Sequence, residues 1–199
     1  MPKPRRSQSE RRAETRSRLL AATQAALVER GYAGATTTEV CRRAGVSQGA
    51  LFKHFASKGE LLAATAEQLF AHLIDAYREE MPRLAGVQDR AAAAVELLWG
   101  VFEDARLLAA IELYGAARTD RELARRLAPV AARHGENLRQ LARELFPEAA
   151  ARQPDFDAVV AVTVQAIQGA TLGSLASGDR SVFAPMLALL TDWVRKTVG

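Results

Sequence analysis

The sequence predicts an all-α chain, and three observations carry that expectation. Apolar residues fill 49% of the 199 positions and are rich in alanine and leucine, with aromatics at only 6%. They recur at spacings of three and four, the period of one helix face, and nowhere alternate as a half-buried strand would. Several of these runs open on Ser or Thr followed three places later by Glu, a helix-start signature. The length allows one sizeable core, or a small domain followed by a larger one.

Taken in order, residues 1–12 are a basic segment without apolar periodicity, expected to be disordered alone. They carry Arg5, Arg6, Arg11 and Arg12. A first helix is expected from about Ala13 to Arg30, with Leu19, Leu20, Thr23, Ala26 and Leu27 inward and Gly31 at its end. Thr36 and Glu39 form a capping box, hydroxyl and carboxylate each accepting from the other residue's N–H. The helix they open puts Val40 and Ala44 on one side and stops at Gly45, a favoured C-terminal residue. Val46 then fills the space between helices, and Ser47 caps the next, Gln48 to Phe55. Two helices of about eight residues around a glycine turn are a helix-turn-helix by spacing.

Ser57 and Glu60 form a second capping box. The helix they open is expected to reach Glu80 and stop at Pro82, with Leu62, Leu69, Phe70, Leu73 and Tyr77 at helical spacing. It joins a three-helix domain at 13–62 to a larger helical domain at 63–199, and is the mechanical link between them. Further helices are expected from about Asp89 to Asp104, with Val95, Leu98, Trp99 and Phe102 apolar, and from about Arg106 to Ala117. A third capping box, Thr119 and Glu122, opens a helix to Phe146 that Pro129 should kink or divide. Pro147 and Pro154 bracket a loop, Asp155 caps a helix to Ala176, and a last helix runs from about Ser181 to Thr197. That makes about nine helices.

The helix from Gln48 to Phe55 has a divided character. At about 100° per residue, Leu51 and Phe55 point inward and Gly49 and Lys53 the opposite way, with Gln48 and Ala50 on the flanks. Taken alone, such a face fits an ordinary solvated helix. It also fits a helix pressed into a DNA major groove, where Gly49 and Ala50 let the backbone approach and Gln48 and Lys53 carry donors.

The constellation around it shifts that balance. The run Glu29-Arg30-Gly31-Tyr32, the threonine-capped helix, Ala44-Gly45-Val46-Ser47, Leu51-Phe52-Lys53-His54-Phe55, and Ser57-Lys58 before Glu60-Leu61-Leu62 stand in one register over roughly residues 14–63. This stretch resembles the DNA-binding domain of the tetracycline-repressor (TetR) family of one-component transcription regulators. Beyond residue 65 the resemblance is one of architecture only. It implies a three-helix DNA-binding domain followed by a larger helical domain for ligand binding and dimerisation.

Carried over position by position, the resemblance puts DNA contacts on Thr37, Thr38, Gln48, Gly49, Ala50, Phe52, Lys53, His54 and Lys58. Thr37 and Thr38 offer hydroxyls beside free helix-start N–H groups, a phosphate site. Gln48 can pair with an adenine edge and Lys53 with guanine O6 and N7, while His54 and Lys58 can hold phosphates. Arg5, Arg6, Arg11 and Arg12 could follow phosphates or enter a minor groove, or serve only as a solubilising tail. Phe52 stands where the family usually has tyrosine, which removes a phosphate hydrogen bond. Ala50 stands where threonine is common. Cys41 replaces a common alanine and reads as core filler.

The resemblance also implies a homodimer closed by a four-helix bundle from the last two helices of each subunit. Ile167, Thr171, Leu175, Met186, Leu190 and Trp193 are the expected interface residues, and Gly169, Gly173 and Ser174 supply a small-residue stripe. A regulator needs an input, expected as a pocket between Leu62 and Gln168 for a largely apolar small molecule. Trp99, Phe102, Glu103, Tyr114, His134, Asn137, Gln165 and Gln168 are the candidate contacts, as polar or aromatic groups among alanines and leucines.

Charge and cysteine content fit this picture. Residues 1–60 carry twelve Lys and Arg against five Asp and Glu, and the remainder fifteen against eighteen, for a net charge of +4. A basic head on a mildly acidic body suits a nucleic-acid-binding domain joined to a non-binding one. One cysteine rules out an internal disulfide and fits a reducing cytoplasm. No apolar segment follows the basic N-terminus as a secretory signal would, and no uninterrupted apolar run of bilayer length is evident. With His54, His72 and His134 scattered and no nucleophile–base motif or metal-ligand cluster, neither enzyme chemistry nor a metal or cofactor is expected. The expected function is a homodimeric repressor on a palindromic operator, released by a small-molecule effector. An effector-independent architectural DNA-binding protein is the alternative.

Overall fold

The computed structural model describes residues 7–198. Ten α-helices follow one another among them: α1 (Gln8–Gly34), α2 (Thr37–Ala44), α3 (Gln48–His54), α4 (Lys58–Ala85), α5 (Arg90–Val101), α6 (Ala105–Ala117), α7 (Arg121–Leu145), α8 (Pro147–Arg152), α9 (Phe156–Ser177) and α10 (Ala184–Val198). A 3₁₀ turn, Ser181–Phe183, leads into α10. No strand occurs among the described residues, so the all-α expectation holds. The chain forms two compact units. One joins the residues up to Leu69 with Leu108–Val130; the other joins Phe70–Leu107 with the chain from Ala131 onward.

In the first unit α1 begins at Gln8, five residues before the expected Ala13. The cause is a capping box: Ser7 Oγ accepts from the Glu10 N–H and the Glu10 carboxylate accepts from the Ser7 N–H at 2.7 Å. Arg11 and Arg12 therefore sit on the first turns of a helix, while Arg5 and Arg6 lie outside the described residues. Leu19, Leu20, Thr23, Ala26 and Leu27 are all buried, as their spacing predicts. The Thr23 hydroxyl is satisfied by donating to the Leu19 carbonyl at 2.7 Å. At Gly31 the helix breaks, with φ 64° and ψ −175°, a conformation open essentially to glycine alone.

Helices α2 and α3 pack in sequence on α1 through Val40, Leu51 and Phe55, each almost fully buried. Thr36 caps α2 and Ser47 caps α3, and Gly45 ends α2 in the left-handed conformation. The Arg18 guanidinium donates to the Ala44 and Gly45 carbonyls and so satisfies the end of α2. Glu39 departs from the expected reciprocal box. Its carboxylate binds Arg43 Nε at 2.6 Å and Arg42 at 2.8 Å, and Arg43 reaches on to Glu29 at 2.7 Å. Arg42 and then Arg43 hold the Glu39 carboxyl down to about 2. This network pins α2 to the end of α1.

Leu108–Val130 joins the unit through three carboxylates. Glu112 on α6 accepts from the Tyr32 N–H at 2.8 Å, just past the Gly31 break. Asp120 accepts from the Tyr32 hydroxyl at 2.9 Å, and Glu122 accepts from the Ser57 hydroxyl. The third capping signal shifts by one residue. Asp120, not Thr119, caps α7 by accepting from the Leu123 N–H at 2.9 Å, while the Thr119 hydroxyl donates back to the Ala116 carbonyl.

In the second unit α10 packs on α5, α8 and α9. Ile74, Tyr77 and Leu141 form a core with Leu73, Met81, Leu98 and Leu138 packed around them. Arg195 ties α10 to Asp89 before α5 at 2.7 Å, and Arg143 ties α7 to Asp157 on α9 at 2.5 Å. His134 stacks on Phe70 with ring centroids 4.1 Å apart, and its Nδ1 is buried without a partner.

Both prolines expected to interrupt helices lie inside them. α4 continues through Pro82 to Ala85, and α7 runs undivided past Pro129. Each proline removes one N–H, but burial of Leu84 beyond Pro82, and of Leu127 and Val130 around Pro129, holds the helix in place. The segment between Pro147 and Pro154 contains α8, with Pro147 at its first turn, where the missing N–H costs nothing. α9 is also long and apolar enough to cross a membrane by length and composition, which the reading of uninterrupted runs missed. Here one side of it packs inward, with Thr163, Ile167, Thr171 and Ser174 buried, and the rest faces outward.

Two outcomes follow from this packing. Gly31→Ala should cost roughly 1–3 kcal/mol in urea unfolding, because the new Cβ would also stand 2.8 Å from Glu112 Oε1. Gly115→Ala, a helical glycine with open space around it, should leave stability unchanged or raise it by up to about 1 kcal/mol. Burial lowers the His134 pKa to about 4 from its ordinary 6.5. A depressed histidine favours folding above its unfolded pKa, and that contribution fades as pH falls from about 6.5 towards 4. His134→Gln should therefore flatten the loss of stability between pH 7 and 4.5, by up to about 2 kcal/mol.

Candidate nucleic-acid interface and ligand cavity

The outer face of α3 follows from its inner one. With Leu51 and Phe55 fixed in the core, Gln48, Gly49, Phe52 and Lys53 are exposed, and Ala50 and His54 half-buried. Phe52 is 48% exposed, large for an apolar ring with no packing reason to face water. On α2, Thr38 is exposed and Thr37 half-buried. Gln48 Nε2 donates to Thr38 Oγ1 at 2.9 Å, so the first residues of the two helices share one polar edge.

Lys53 and His54 line a cleft with Arg12, Gln8 and Ser9 from the start of α1. Two of the expected DNA residues, Lys53 and His54, thus meet one expected arm residue, Arg12. Gln8 and Ser9 were missed, because the early start of α1 depends on a capping box in a segment read as disordered. Burial, then the charges of Arg12 and Arg16, lower the His54 pKa. A phosphate arriving here would relieve that repulsion.

Lys58 is placed differently. Its ammonium lies 4.3 Å from the centre of the Tyr32 ring and donates to the Tyr32 carbonyl at 3.4 Å. Burial lowers its pKa against the opposing pull of Asp120. It is engaged with the turn after α1 rather than presented beside Lys53.

The second unit holds a cavity of about 100 Å³. Its walls come from Tyr77, Met81 and Leu84 on α4, Val95 and Leu98 on α5, Leu138, Leu141 and Leu145 on α7, Phe156, Val159 and Thr163 on α9, and Val194 on α10. None of the eight expected effector residues lines it. Trp99 lies under the Arg180 guanidinium at 3.8 Å, Glu103 pairs with Arg180 at 3.1 Å, and His134 stacks on Phe70. Phe102 is buried, Gln165 is exposed, and Asn137 and Gln168 are half-buried; Tyr114, also half-buried, belongs to the other unit. The reading favoured polar residues among alanines, whereas aliphatic side chains build this cavity and look like core.

The expected dimer residues divide. Ile167, Thr171 and Leu190 are buried within the subunit, Met186 is half-buried, and Leu175 and Trp193 are exposed. The exposed large apolar residues of this region also include Val162, Leu172, Val182 and Leu189, the last at 72%. Since α9 is apolar nearly all round, spacing alone could not separate its inward face from its outward one. Ile167, Thr171 and Leu190 are therefore taken up by packing within the subunit, while Leu172, Leu175, Leu189 and Trp193 face outward.

A family model described as bacterial regulatory proteins, tetR family, matches residues 19–65. An uncharacterized HTH-type transcriptional regulator of Mycobacterium tuberculosis is 31% identical over 167 residues, 84% of this chain and 86% of that one. Among solved structures, a TetR transcription regulator from Haloarcula marismortui superposes with TM-score 0.69 at 17% identity, over 94% of this chain and 100% of the other. The multidrug binding protein EbrR complexed with ethidium matches with TM-score 0.66 at 25% identity, over 89% of this chain and 98% of its own. The helix-turn-helix from Thr36 to Phe55, its exposed α3 face and these likenesses lead to one assignment: the chain belongs to the TetR family of DNA-binding transcriptional regulators.

Proposed function

We propose that the protein is a homodimeric repressor that binds a palindromic operator through α3 and leaves it when a small molecule occupies the body. The observation that carries the DNA half is the division of α3, with Leu51 and Phe55 in the core and Gln48, Gly49, Phe52 and Lys53 outside. In the major groove Gln48 reads a base edge, oriented by Thr38, and Lys53 reads guanine or holds a phosphate. Arg12, His54 and Gln8 meet the flanking backbone, with Arg5, Arg6 and Arg11 adding charge. Lys58 supports this face through Tyr32.

The outward apolar residues of α9 and α10 support the dimer half. Leu172, Leu175, Leu189 and Trp193 are too large a hydrophobic exposure for a subunit working alone. A second copy covers them, and two heads then read half-sites a helical turn or its multiple apart. The multidrug binding protein EbrR is complexed with ethidium, and the cavity here supports an effector site on this chain too. The unbroken α4, which starts beside α3 at Lys58 and passes Tyr77 at the cavity, is the proposed lever. The protein acts in the cytoplasm, with α9 buried between subunits rather than in a membrane.

The test is selection of binding sites from random duplex DNA. A two-fold symmetric consensus supports the reading, and binding with no consensus would favour an architectural role. Gln48→Ala should relax one position in each half-site at a cost of about 1–3 kcal/mol. Thr38→Ala should weaken the same position, and the double variant should lose less than the sum, because one contact is being removed twice. Leu189→Asp should give monomers by sedimentation and weaken operator binding, while leaving helical content unchanged.

A further inference from the structure

The cavity in the second unit is selective by what its walls lack. No charged side chain lines it, and its two hydroxyl-bearing residues are Tyr77 and Thr163. The Thr163 hydroxyl already donates to the Val159 carbonyl at 2.8 Å. Tyr77 differs: only 6% of it is exposed, and its hydroxyl has no hydrogen-bond partner among the described residues. A wall hydroxyl that no protein group engages can meet a ligand oxygen with no protein hydrogen bond to break first.

An ion held in this space would give up much of its hydration and find no counter-charge among the walls. Size narrows the class further. A closed apolar cavity of about 150 Å³ holds benzene, so one of about 100 Å³ that opens to solvent takes at most a single small ring, with part of it at the mouth, or a short chain. We infer that the cavity takes a small uncharged apolar molecule carrying one hydrogen-bonding oxygen, which meets the Tyr77 hydroxyl. Cationic dyes and carboxylates are excluded. This rests on the proposed function only in taking the cavity as the effector site.

The experiment uses the full chain and four probes of one size: p-cresol, toluene, benzoate and benzyltrimethylammonium. Binding is measured by calorimetry, with competition against toluene. Para-cresol should bind most tightly, toluene more weakly, and the two ions not at all. Tyr77→Phe should weaken p-cresol about 3–10-fold, the worth of one hydrogen bond, and leave toluene within about twofold. Val164→Phe, which fills the cavity from a half-exposed position, should remove binding of both neutral probes. An ion that displaces toluene as well as p-cresol does would overturn the inference, as would p-cresol affinity indifferent to Tyr77→Phe, or no binding of any probe. The comparison of neutral with charged probes needs no variant. If p-cresol binds as described but operator affinity does not change, the ligand class stands and the effector reading of the proposed function fails.

Discussion

Tyr32 is the residue on which the first unit depends. Gly31 breaks α1 in a conformation that side chains resist, and the break turns the next N–H out of the helix. That N–H meets Glu112, the Tyr32 hydroxyl meets Asp120, and the ring carries the Lys58 ammonium. One residue thus joins the end of α1, the start of α4 and the α6–α7 turn. Each contact is a hydrogen bond to a charged group or a cation over a ring, and so more directional than apolar packing. Any change in the α6–α7 turn must therefore bear on the end of the helix that supports α2 and α3.

The same economy governs the charge of the head. Its basic balance reads as an electrostatic footprint for DNA, yet much of it works internally. Arg18 closes α2, Arg43 and Arg42 hold Glu39, Arg16 lies over Phe55, and Lys58 lies over Tyr32. Arg12 and Lys53 are the cations that line the cleft beside α3. The count of charges overstates the number of phosphates the head can neutralise.

The ends of α2 and α3 and the start of α4 were legible because they carry local chemistry: Thr36, Ser47 and Ser57 as caps, Gly45 as a stop, and apolar spacing between. What failed was tertiary. Pro82 read as a stop and Pro129 as a kink or division because sequence shows the lost N–H but not the burial of Leu84 and Val130 that keeps both helices undivided. Glu112, Asp120 and Glu122 look like residues of solvated helices, and only the fold shows them bonded to Tyr32 and Ser57. The cavity was invisible for the opposite reason. Its walls are leucines and valines, and spacing cannot tell a filled core from one with a gap.

Native-state hydrogen exchange at the Tyr32 amide tests the central constraint most directly. An amide just beyond a helix break has no backbone partner and should exchange freely unless Glu112 holds it. The account predicts slow exchange at Tyr32 in the native protein, rising at least about tenfold in Glu112→Ala while the Ala26 amide inside α1 is unaffected. Fast exchange at Tyr32 in the unaltered protein, or protection that survives Glu112→Ala, would contradict it.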